Sequence, residues 1–246
     1  MIAKREKNTS SYLARFWPEE RKMTALLVAL IFDTLIVYPL VNAISSSVGT
    51  HIINVLVILA VYLLGLFVLT HHIVTRLVFG VISIAVIFVH IVRLVFGANW
   101  LLGLDIFLSL LIAVAYSIFI FGFVYKEGPV TRQRLEGAVA AYLFITITFA
   151  LSYNLISIAI PGALEFSRDL PDIYNPRFIY AFNYFSISTI TTLGFGDIIP
   201  VHPIARTLTM IEALVGQLYP AILLARLVSL SILDSRRSDR KETITR

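Results

Sequence analysis

Seven consecutive residues, Thr191-Thr192-Leu193-Gly194-Phe195-Gly196-Asp197, have the makings of a site for a bare cation. Glycine at alternate positions, Gly194 and Gly196, admits backbone angles that other residues avoid, so successive carbonyls can point the same way rather than alternate. Carbonyls in register, together with the Thr192 hydroxyl, form a stack of oxygen rings when copies of the loop surround one axis. Rings of that kind replace the hydration shell of a cation. Leu193 and Phe195 then turn outward behind the loop, where Tyr184 and Phe185 are available to brace it. The chain carries one such loop, so a complete site calls for several copies.

The flanking segments must place this loop. Phe178–Ile190 (FIYAFNYFSISTI) is apolar and aromatic but only about 13 residues long, too short to cross a bilayer core of about 30 Å. Asn175 and Pro176 suit a helix start, so the segment predicts a re-entrant half-helix. Its C-terminal end, with partial negative charge, faces the membrane middle and favours a cation there. Irregular backbone returning from that depth is tolerated only where it lines water or is buried in protein.

The composition agrees with a membrane setting. Of 246 residues, 58% are hydrophobic and 14% charged, against roughly 25% charged in soluble domains. That excludes a soluble globular fold and a disordered chain. The absence of cysteine removes disulfides and thiolate chemistry. Six long apolar runs stand at about Met23–Val41, Ile52–Leu69, Leu77–Val95, Leu101–Val124, Gly137–Ile160 and Ile204–Leu230. Each is long enough to span as a helix, and none shows the period-two alternation of a barrel strand. The expected fold is an all-α membrane protein: six transmembrane helices plus a re-entrant pore helix and its loop.

Six spans put both termini on one side. With that side cytoplasmic, sixteen of the twenty basic residues lie inside and only Arg93, Arg168, Arg177 and Arg206 outside, as the orientation rule requires. The expectation is a multi-pass cell-membrane protein with both termini cytoplasmic. Its basic ends meet membrane lipids, not nucleic acid. Residues 1–22 read as an interfacial segment, with Ser11–Trp17 as an anchor and no cleavable signal. Residues 23–125 form a four-helix bundle, 126–136 a cytoplasmic linker, 137–230 a pore domain and 231–246 a short basic tail.

The loop TTLGFGD is similar to the potassium-channel selectivity signature T-T-V-G-Y-G-D, with Leu193 for Val and Phe195 for Tyr. The resemblance extends over the helix, half-helix, loop and helix of residues 137–230, 94 of 246 residues. The four preceding runs look like the peripheral domain of six-span tetrameric cation channels. The resemblance implies a homotetramer passing K+, which needs no cofactor. It implies that Thr192, Leu193, Gly194, Phe195 and Gly196 carry the ion sites, with Thr191 supporting the filter and Asp197 anchoring its outer end. The alternatives are a non-selective cation channel, which the intact G-F-G disfavours, and a potassium transporter, which would place four degenerate loops in one chain. No enzyme is expected, because no paired carboxylates, metal-spaced histidines or activated nucleophile share a depth.

Further residues bear on gating. Gly216 lies twenty residues beyond Gly196, and Pro220 removes a backbone hydrogen bond, so the last span is expected to bend there. The competing explanation is that small residues serve close packing. Voltage-gated relatives carry regularly spaced arginines on the fourth span. This one has no Lys or Arg in Leu101–Val124, so weak or no voltage dependence is expected. Among intramembrane charges, Arg93 and Asp105 match in depth and predict an ion pair, which Asp33 is placed to join. Glu212 either faces the ion path or bonds to the back of the pore helix. His51, His71, His72 and His202 read as solvated interfacial residues. The tail is too short for a ligand-binding domain, so such control would come from a separate regulatory subunit.

Overall fold

The computed structural model describes residues 19–37, 47–68, 73–96, 99–126, 131–167 and 176–245. A helix stands at each of the six apolar runs. They are α1 (Glu19–Phe32, continued by a π-helical turn Asp33–Val37), α2 (Ser47–Val68), α3 (Ile73–Phe96), α4 (Leu102–Tyr125), α5 (Arg132–Ala159) and, after the half-helix α6 (Pro176–Ile190), α7 (Pro203–Thr245). The protein is an all-α membrane protein. Among the described residues, α3, α4, α5 and α7 are long and apolar enough to cross a membrane, while α2 holds a shorter apolar stretch, Val55–Leu66. The anchor Ser11–Trp17, His71, His72 and Asn175 lie outside the described residues.

Helix starts follow local chemistry. The Thr131 side chain accepts the Arg134 N–H at 3.4 Å, and Arg132 pairs with Glu136 one turn on at 2.8 Å. Helix α5 therefore begins inside the stretch 126–136 expected as linker. Pro176 and Pro203 each open a helix, where a missing N–H costs nothing. The helix of α7 also runs on through the tail expected from residue 231, as far as Thr245.

Only residues 126–131 separate α4 from α5, and this short connection holds α4 against α5 of the same chain. Tyr116 of α4 fills the resulting seam. It stacks on Phe144 of α5 at 5.4 Å and tilts against Phe79 of α3 at 5.0 Å. A side chain at Gly65 of α2 would collide with the Tyr116 ring, 2.6 Å from Cε1. In lipid there is little hydrophobic drive to bring helices together, so such close contacts and small residues hold the bundle. Val81, Ile84 and Phe88 of α3 are accordingly exposed, which suits a lipid-facing surface.

One feature departs from an all-helical expectation. Leu164–Phe166 (β1) and Ile198–Pro200 (β2) pair antiparallel, with Leu164 opposite Pro200 and Phe166 opposite Ile198. This two-stranded sheet joins the segment after α5 to the exit of the Thr191–Asp197 loop. It was hidden because each strand is three residues long and its partner lies far away in sequence.

Candidate functional site: the Thr191–Asp197 loop and its supports

Half-helix α6 docks through its aromatic face. Phe178 and Phe182 meet edge to face at 4.9 Å, and Phe182 meets Phe166 of β1 at 5.9 Å. Phe185, expected to brace the loop, instead packs T-shaped on Tyr153 of α5 at 4.8 Å. It lies on the helix face turned toward α5, whereas neighbouring Tyr184 points to the loop and stacks on Phe195 at 5.9 Å with rings 5° apart. Polar links complete the dock. Tyr153 Oη donates to Glu212 Oε2 at 2.6 Å, and Ser186 Oγ of α6 donates to Glu212 Oε1. Glu212 is thus wholly buried and bonded to α6.

Loop backbone is tied to the last turn of α6. The Thr192 N–H bonds to the Thr189 carbonyl at 2.9 Å, and the Leu193 and Gly194 N–H groups both bond to the Ser188 carbonyl, at 2.8 and 3.1 Å. The Phe195 N–H reaches Ser188 Oγ at 3.4 Å. Every peptide here is trans, so each C=O points opposite to the N–H across its plane. The carbonyls of Thr191, Thr192, Leu193 and Gly194 therefore all turn away from α6, toward one side. The backbone angles that allow this alternate: φ is +62° at Thr192, +55° at Gly194 and +76° at Gly196. Glycine takes such values freely, whereas at a β-branched threonine they store strain of about 1–3 kcal/mol. The tethered set extends one residue further toward α6 than the expected one, and Phe195 and Gly196 lie beyond it.

Both ends of the loop are held. The Asp197 carbonyl accepts the Ser167 N–H at 2.8 Å, beside the β1–β2 pair. Asp197 anchors by its backbone, for its carboxylate makes no hydrogen bond among the described residues. At the other end the Ile190 carbonyl accepts the Tyr142 Oη of α5 at 3.0 Å. Gln217 of α7 lies beneath, its Nε2 donating to Thr192 Oγ1 at 3.4 Å. Ser186, Ser188, Tyr142, Tyr153 and Gln217 were not singled out from the sequence. Polar residues on a short apolar helix were the available signal for the two serines.

Residues 142–231 match the family model described as Ion channel, a stretch that takes in α6, the loop and most of the two helices around them. Over 81 residues the chain is 36% identical to the inward rectifier potassium channel Kirbac3.1 of Paramagnetospirillum magnetotacticum, covering 33% of this chain and 24% of that protein. Residues 142–231 thus form an ion-channel domain, similar over part of its length to a potassium channel. The chain spans about a quarter of the curated relative it matches, and no solved structure matches it significantly. The family is not an enzymatic one.

Two further polar contacts tie helices together. Near the N-terminal end of α4, Arg93 Nε of α3 donates to Asp105 Oδ2 of α4 at 2.8 Å, and His90 Nδ1 of α3 shares that oxygen at the same distance. His90, buried one turn before Arg93, escaped notice in the sequence because an apolar helix hides it. Asp33 does not join this network by hydrogen bonds but lines the same cavity. Near the opposite end, Arg226 Nη2 of α7 donates to the carbonyls of Tyr125 and Lys126, at 2.5 and 3.4 Å. Its guanidinium lies 4.5 Å over the Tyr125 ring. The arginine thereby caps the C-terminus of α4, where cations are favoured. Helix α7 runs unbroken through Gly216 and Pro220.

Proposed function

We propose that this chain is one subunit of a homotetrameric, potassium-selective channel of the cell membrane, conducting K+ passively through rings of carbonyl oxygens. The observation that carries this reading is the loop backbone, with alternating positive φ and N–H groups turned to Ser188, which aims successive carbonyls to one side. Four copies around an axis would close those oxygens into rings that offset the cost of dehydrating the ion. All of Thr191–Asp197 is exposed on the single chain, as are Met210, Leu214 and Leu218 of α7, surfaces that neighbouring copies would cover.

In this reading residues 23–125 are a peripheral four-helix domain and 137–230 the pore domain, within six spans and with both termini cytoplasmic. Lipid surrounds the exposed apolar faces. The fourth span has no basic residue, and the arginine at the outer end of the bundle is on α3, pairing with a carboxylate on α4. Voltage dependence is therefore weak or absent. Gating bends α7 near Gly216 and Pro220, and ligand control comes through a separate subunit.

Recording from the purified protein in a planar bilayer under opposed potassium and sodium gradients tests the reading. The reversal potential is expected to track potassium. A reversal potential between the two ions, coupled flux or no conductance overturns it.

A further inference from the structure

We propose that the cavity between the peripheral helices and the channel domain binds a small lipophilic organic cation, an ammonium group whose charge pairs with Asp33. The cavity has a volume of about 130 Å³ and is walled by the bundle on one side and by α5 and α6 on the other. An engineered apolar cavity of about 150 Å³ accommodates benzene, so the space suits a ligand with one small ring.

Charge selects its sign. Among the described lining residues, Arg93 neutralises the charge of Asp105 through Oδ2, which His90 also reaches, while Asp105 Oδ1 and His90 Nε2 make no hydrogen bond. Asp33 is left without a hydrogen-bond partner among the described residues. An unpaired carboxylate at this depth is costly, and a cation removes the cost. Asp33 also opens the π-helical turn Asp33–Val37, a departure from α-helix that recurs at functional sites.

The remaining wall selects the rest of the ligand. Ser109, Asn154 and Asn183 add a few polar atoms, but Val57, Ile106, Ile147 and Leu151 suit a hydrocarbon carried by the cation itself. The rings of Tyr62 and Tyr180 line the same space and favour a cation over a neutral group. The inference does not depend on which ion the pore conducts.

Isothermal titration of the purified full chain in detergent with cyclopentylammonium, and with cyclopentanol as its neutral counterpart, is the test. The ammonium should bind once per chain and at least about tenfold more tightly than the alcohol. Asp33→Asn should remove that preference while leaving the alcohol unaffected, and Asp33→Glu should keep it. Equal binding of the two probes, no binding, an unchanged affinity in Asp33→Asn, or one site per assembled pore (an amine in the ion path) overturns the proposal. The comparison of probes on the natural sequence decides the matter even if Asp33→Asn does not fold.

Discussion

Gly216 of α7 lies directly against the carbonyl of Ile190, the last residue of α6, so that a methyl group on Gly216 would overlap the oxygen and sit 2.8 Å from the carbonyl carbon. The same oxygen accepts the Tyr142 hydroxyl from α5, and three helices converge on it. Close approach alone thus accounts for this glycine. Gly216→Ala should lower thermal stability by about 1–3 kcal/mol through overpacking, together with a loss of current whether or not α7 bends. Pro220→Ala separates the two roles, because it restores a backbone hydrogen bond without touching α6. A reduced single-channel open probability with unchanged melting is the result expected if α7 bends.

Glu212 joins α5 to α6 through Tyr153 and Ser186. Glu212→Ala removes two hydrogen bonds to a carboxylate, leaving Ser186 to the Thr146 carbonyl and Tyr153 to Thr209 Oγ1, and should cost about 1–3 kcal/mol in melting experiments. Glu212→Gln keeps an acceptor and should fold, with single-channel conductance unaltered. A conductance that fell in Glu212→Gln would place the carboxylate in the ion path after all.

Arg93 and Asp105 form a buried pair, so reversing either charge alone should cost about 3–5 kcal/mol and lower the yield of folded protein. Reversing both should restore part of it. Rescue is incomplete because His90 stays in place and would then face an arginine at position 105. Full recovery in size-exclusion and melting assays would show that His90 contributes nothing.

Arg226 ties the middle of α7 to the end of α4 by two carbonyls and a ring. Arg226→Lys keeps the charge but loses the planar fork, so an intermediate effect is expected between natural sequence and Arg226→Ala. The readout is open probability. A change in Arg226→Ala that vanishes when the bundle is already loosened by Asp105→Asn would show that the clasp transmits the bundle's state.

The Thr191–Asp197 loop was legible because its signals are local. Glycine spacing at 194 and 196 limits the backbone wherever it occurs, and the length of Phe178–Ile190 limits what that segment can span. The positive φ of Thr192 was not legible, since nothing about threonine announces it; three N–H tethers to Ser188 and Thr189 impose it. Asp33, Arg93 and Asp105 stood out as charges in apolar runs, whereas the neutral partners Tyr142, Ser186 and Tyr153 did not.

By itself, the sequence determined that this is a helical membrane protein, where its re-entrant segment lies, and which residues form the loop, because hydropathy, length and glycine act within a few turns of chain. Tertiary structure alone decided that Glu212 turns to α6, that Gly216 makes room for Ile190, that Phe185 serves α5, and that a cavity opens beside Asp33. Helices that are apolar all round carry no stripe to mark their inward face. Which side meets which neighbour is settled only when the helices pack.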